Sequence, residues 1–170
     1  FGLSQAKESI RKSDFSVITE GNLDVVSSHQ AGVTNVVASA GTAMTEYHLK
    51  ALSRLSHNVR LAFDGDKAGL AATERAIPIA GQVGVELSIV SLPEGVKDPD
   101  ELIQQNAEAW LNATKDAEPV VDWVLKEFSK REDMNSAAGK RRFTTESLRV
   151  VRSLSDSVER EHYLKQIAKA

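Results

Sequence analysis

The chain has 170 residues, 41% of them hydrophobic and 26% charged, which suits one globular domain or two small ones able to bury about 70% of the unfolded surface. It has no cysteine, so disulfides, a thiolate nucleophile and a sulfur-built zinc site are excluded, and a reducing compartment, the cytoplasm, is expected. Residues 1–105 carry 9 Lys and Arg against 13 Asp and Glu, and residues 106–170 carry 12 against 11, which excludes a bulk basic footprint for nucleic acid and leaves any such contact to a local site.

Phe1 stands where a start Met is expected and no basic-then-apolar leader follows, so the expectation is an excised piece of a longer, unsecreted protein. No stretch approaches about 18 uncharged apolar residues, so no membrane partner is expected. Short apolar runs rich in β-branched residues at 15–19, 35–38, 59–63 and 85–90 predict four strands. Between them, the spacing of Leu23, Val26 and Ala31, of Leu49, Leu52 and Leu55, and of Leu70, Ala71, Ile77 and Ala80 predicts three helices. This alternation means βαβ units, hence an α/β fold with a mostly parallel sheet covered on both faces. After Val90 the texture changes: Pro93, Gly95 and Pro99 punctuate a turn, and the remainder reads as helix. Asp98, Pro99 and Glu101 resemble the cap, first-turn proline and capping-box acid of a helix reaching about residue 105. Three more helices are predicted over about 119–130, carrying Trp123 and Phe128, then 136–153 and 157–169. The boundary is set near residue 106, between an α/β unit at 1–105 and a small all-helical part at 106–170.

In an open parallel sheet, ligands bind beyond the carboxyl ends of the strands. Glu20 directly follows the first predicted strand, Asp64 and Asp66 follow the third, and Asp98 and Asp100 follow the fourth after its loop. Asp24 falls in the first turn of the helix after Glu20, where it can face the same spot or simply complement the helix dipole. Asp64 to Asp66 can also be a solvated turn that caps the next helix, and Asp98 and Asp100 can serve the helix they open. Taken together, several carboxylates at one edge repel one another unless a cation neutralises them, and oxygen-only ligands suit Mg²⁺ or Mn²⁺. Gly21 and Gly65 lack a Cβ, which allows tight turns and close approach of a phosphate.

Other chemistries find no support. His29, His48, His57 and His162 show no metal-ligand spacing, and no Gly-x-Ser-x-Gly elbow or dinucleotide fingerprint occurs. Lys140, Arg141 and Arg142 follow Gly139 without the rest of a P-loop and read as a solvated helix face. Trp110 and Trp123 read as helical core.

Five segments carry a resemblance: Phe1-Gly2-Leu3; Glu20-Gly21-Asn22-Leu23-Asp24 after an apolar run; Ala38-Ser39-Ala40-Gly41-Thr42; Phe63-Asp64-Gly65-Asp66-Lys67-Ala68-Gly69; and Lys97-Asp98-Pro99-Asp100-Glu101 after Leu92-Pro93. In this order they resemble the TOPRIM fold and, within it, the RNA polymerase core of bacterial DnaG-type primases. The resemblance covers residues 1 to about 105 and implies a TOPRIM-like mostly parallel sheet flanked by helices, a catalytic domain at 1–105 followed by a helical subdomain at 106–170. It implies that Glu20, Asp64 and Asp66 are catalytic and hold Mg²⁺ or Mn²⁺, with Asp24, Asp98 and Asp100 as additional or outer ligands. Gly21, Gly41, Thr42 and Lys67 would lie beside the nucleotide. The implied partners are a single-stranded DNA template and ribonucleoside triphosphates, with a replicative helicase for the full-length parent, at the replisome. The family's zinc-binding domain with its zinc site, the N-terminal half of its polymerase core and its helicase-binding tail are expected to lie outside this chain.

The implied reaction is attack of a primer 3′-hydroxyl on the α-phosphate of a ribonucleoside triphosphate, with pyrophosphate leaving. The metal-site pattern alone also suits a TOPRIM nuclease or topoisomerase-like cleaver, against which Tyr47 and Tyr163 occupy no evident nucleophile position, or a non-catalytic metal-binding or assembly module.

Overall fold

The computed structural model describes residues 1–63 and 67–170, with residues 67 and 68 described in backbone only. Helix α1 (Leu3–Ser13) is followed by β1 (Ser16–Thr19), α2 (Asn22–Gln30), β2 (Val36–Ala38), α3 (Glu46–Ser53), β3 (Asn58–Ala62), α4 (Lys67–Val83) and β4 (Glu86–Ile89). After the βαβ units come α5 (Pro99–Lys115), β5 (Glu118–Pro119), α6 (Val120–Arg131), α7 (Ala137–Arg152) and α8 (Ser157–Lys169). The four predicted strands form, each end within a residue of its predicted place.

The sheet runs in the order β2-β1-β3-β4-β5. The first four strands are parallel, and β5 adds an antiparallel edge, with Ile89 opposite Glu118. From β1 the chain crosses to β2 on one side and later to β3 on the other, so the order reverses between β1 and β3. That reversal opens a crevice at the carboxyl ends of these two strands.

Strand alternation divides the apolar side chains between two faces. Ile18, Val37, Val59, Leu61, Leu87 and Ile89 join a core closed by α1, α3, α4, α6, α7 and α8. Val17, Val36, Ala38, Ala62 and Val90 face α2 and α5, where Val25, Leu102 and Trp110 pack against them. Phe128 is buried in the first core and Trp123 packs at its margin.

Three elements depart from the sequence expectation. Helix α1 buries Ala6 and Ile10 and packs Leu3 at the margin of the same core, and three apolar residues in an otherwise polar segment make a stripe too thin to read as a helix. Strand β5 is two residues long and contains a proline, tolerable because it sits on the edge. Helix α5 runs on to Lys115 instead of stopping near 105. Asn106 breaks it with φ −161° and ψ 97°, and the Asn106 Oδ1 accepts the N–H groups of Glu108 and Ala109, restarting the helix at the residue where the boundary is expected. No helix among the described residues is long and apolar enough to cross a membrane.

Candidate active site

Every predicted site residue that the structure describes lies past the carboxyl end of a parallel strand. Glu20 is exposed and directly follows β1. Because Thr19 pairs in register with Ala62, Glu20 leaves the sheet beside Phe63, at the crevice between β1 and β3. Asp64 and Asp66 lie outside the described residues, as does the side chain of Lys67 at the start of α4.

Gly21 forms the cap of α2, and its N–H donates to Asp24 Oδ2 at 3.0 Å. A Cβ on Gly21 would stand 3.0 Å from that oxygen, so glycine is what lets the carboxylate close in. Asp24 is 6% exposed, and its other oxygen, Oδ1, accepts the backbone N–H of Asp100 at 3.2 Å. Burial raises the pKa of Asp24; the two N–H bonds oppose the rise, and the nearby charges of Asp98 and Asp100 add to it. The three acids Asp24, Asp98 and Asp100 are thus brought together where the N-termini of α2 and α5 meet.

Asp98 caps α5, its Oδ1 accepting the N–H of Glu101 at 2.8 Å. Glu101 reaches back to the N–H of Lys97 at 2.8 Å, one residue before the cap rather than to the cap itself. Asp100 accepts hydrogen bonds from Ser27 Oγ and from Gln104 Nε2, the latter at 2.8 Å. Ser27 and Gln104 are participants that sequence reading missed; Ser27 stands one turn after Asp24 on α2, but its partner lies 73 residues away and leaves no local signal.

On the other side of Glu20, the N–H of Ser39 donates to Thr19 O at 3.1 Å and carries the β1–β2 ladder one step beyond β2. Ala40 and Gly41 both have positive φ, 58° and 73°, so the chain turns sharply there, and Thr42 Oγ1 closes the turn on Ser39 O at 2.6 Å. A Cβ on Gly41 would meet nothing within 4 Å; the left-handed turn, not space, is what favours glycine at this position. Beyond β3 and β4 a groove of about 770 Å³ is walled by the 91–97 loop and by Trp123, Lys126 and Lys130 of α6.

Among the described residues, no group of three His, Cys, Asp or Glu side chains is placed to hold a metal ion. The donor chemistry nevertheless fits a hard divalent cation, since every candidate ligand at this edge is a carboxylate.

Residues 17–103 match a family model described as Toprim-like, and residues 121–170 match one described as the DnaB-helicase binding domain of primase. The second match differs from the expectation that the helicase-binding part lies outside the chain. A curated DNA primase of Enterococcus faecalis is 36% identical over 171 residues, covering 99% of this chain and 27% of its own. One of Clostridium acetobutylicum is 33% identical over 156 residues, covering 91% of this chain and 26% of its own. The chain therefore spans about a quarter of the length of these relatives. Among solved structures, the RNA polymerase domain of the Mycobacterium tuberculosis primase in complex with double-stranded DNA matches with a TM-score of 0.80 at 31% identity, over 99% of this chain and 55% of that one.

Proposed function

The chain belongs to the Toprim-like family, and from that premise we propose that it is the C-terminal part of the RNA polymerase core of a bacterial DNA primase, which makes short RNA primers by metal-dependent nucleotidyl transfer. The observation that carries this reading is that Glu20 leaves β1 beside Phe63 at the carboxyl edge where the strand order reverses, and in the sequence Asp64-Gly65-Asp66 follows Phe63 directly. Glu20, Asp64 and Asp66 are the proposed ligands of Mg²⁺ or Mn²⁺, with Asp98 and Asp100 beside them. A bound divalent ion supplies Lewis-acid chemistry, making the attacking hydroxyl more acidic and neutralising charge on the reacting oxygens.

The residues of this chain contribute binding and orientation. Gly21, Gly41, Thr42 and Lys67 are proposed to line the nucleotide: the left-handed turn at Ala40 and Gly41 presents bare backbone, and the caps at Gly21 and Asp98 fix the two helix ends that flank it. The division at 105/106 is kept, with residues 1–105 as catalytic domain and 106–170 as helical subdomain. The partners proposed are a single-stranded DNA template, ribonucleoside triphosphates and, through residues 121–170, a replicative helicase; the place of action is the cytoplasm, at the replicating chromosome.

The test is incorporation of labelled ribonucleotide on a single-stranded template with Mg²⁺, comparing this chain, the full-length parent and the parent carrying Asp64→Asn. The parent should synthesise primers, Asp64→Asn should abolish synthesis, and the isolated chain should be nearly inactive because the basic half of the core is expected elsewhere. Every template phosphate that goes without a basic partner in the isolated chain should flatten the salt slope of single-strand binding by about 0.7. Undiminished synthesis by the Asp64→Asn parent would overturn the assignment.

A further inference from the structure

We propose that Asp24 is a positioning residue that ties the N-terminus of α2 to that of α5, rather than a ligand of the metal; the inference rests on the metal-site reading above. A carboxylate at the third position of a helix needs only one bond to the cap N–H to complete a capping box, and Asp24 makes that bond to Gly21. Its second bond runs to the N–H of Asp100, 76 residues away. That N–H belongs to the first turn of α5 and has no acceptor within its own helix. Asp24 therefore satisfies orphan donors of two helices at once, while Asp98 takes the next one, the N–H of Glu101.

Two further features point the same way. Ser27 Oγ, one turn along α2, bonds the carboxylate of Asp100 and makes a second link between the same helix ends. Gly21 leaves just enough room for the Asp24 carboxylate, and it adjoins Glu20 directly. A side chain 6% exposed with both oxygens engaged would strand two N–H groups if it swung out to an ion. In place, it holds the Glu20 segment and the Asp98–Asp100 segment at a set separation.

Asp24→Asn keeps the shape but offers one acceptor oxygen and one donor group, so one of the two N–H groups loses its partner. Titrated with Mn²⁺, the variant should bind about 10-fold more weakly, in the range typical of groups that orient ligands, with the same number of ions. Hydrogen exchange should show Gly21 or Asp100 protected in the unchanged chain and labile in the variant. Unchanged Mn²⁺ affinity would overturn the proposal, and so would the loss of one bound ion with both amides still protected. Should Asp24→Asn not fold, Gly21→Ala keeps every acid and sets a Cβ against Asp24 Oδ2; it should lose affinity likewise, and unchanged affinity in it would overturn the proposal. If the unchanged chain binds no Mn²⁺, the metal-site reading fails, and the tie is judged by exchange alone: protected amides support it and labile ones overturn it.

Discussion

On one face of the sheet α2 and α5 cover a small core built around Trp110, while on the other α1, α3, α4 and the three C-terminal helices close a far larger one reaching from Ile10 to Ile167. Directional bonds cross both faces, Arg149 to Glu74 and Tyr163 to Asp122 on the large one, but only those of the small face reach the acids at the sheet's edge. Asp24 and Ser27 tie α2 to the start of α5, and Arg60 of β3 donates to the carbonyls of Thr114 and Lys115 at its end, with the guanidinium 3.7 Å above the Phe15 ring. Hydrogen bonds fix angles and distances, whereas apolar burial fixes mainly proximity. The difference teaches that the large face carries most of the stability and the small face sets the spacing of the acids at the sheet's edge.

Trp110→Ala and Phe143→Ala test that division with the largest expected effects. Each removes a buried aromatic ring, Trp110 from the small core and Phe143 from the large one, and each should cost about 3–5 kcal/mol by urea denaturation. Only Trp110→Ala should also weaken Mn²⁺ binding by the molecules that remain folded, since it loosens α5. Equal losses of affinity in both variants would erase the distinction between the faces.

A smaller effect sharpens it. Burial holds the carboxyl of Asp24 above the ordinary aspartate value, so the folded chain binds this proton more tightly than the unfolded one. Its contribution to stability is therefore fully present below the unfolded pKa of about 3.9 and is lost as pH rises through the raised folded value. Measured without metal, the stability of the unchanged chain relative to Asp24→Asn should fall as pH climbs from about 3.9 and level off once Asp24 is ionised. A relative stability that rises over the same window contradicts the account.

The sequence carried the parallel sheet because its four strands are short β-branched runs between helices of regular spacing, and that pattern suits few other arrangements. It also put Glu20, Asp24, Asp98 and Asp100 past the carboxyl ends of their strands, since the carboxyl-end rule needs only the strand ends, while Asp64 and Asp66 lie outside the described residues. Helix α1 escaped because Leu3, Ala6 and Ile10 make only a thin stripe on a polar segment, and the second half of α5 because Asn106 resembles a loop residue until its side chain is seen to cap Glu108 and Ala109. Asp24 was legible as a helix-start acid and as a candidate ligand, but its bond to Asp100 spans 76 residues and no local spacing reveals it. Asp98 and Glu101 were legible as a capping pair, with the difference that Glu101 bonds Lys97.

The central claim is that carboxylates flanking the crevice between β1 and β3 hold a divalent cation. Calorimetric titration of Mn²⁺ into the unchanged chain and into the Asp64→Asn, Asp66→Asn double variant tests it most directly, with urea denaturation run on both. The account predicts Mn²⁺ binding by the unchanged chain and its loss in the double variant, at a stability within about 0.5 kcal/mol of the original. Unchanged Mn²⁺ affinity in the double variant would contradict it.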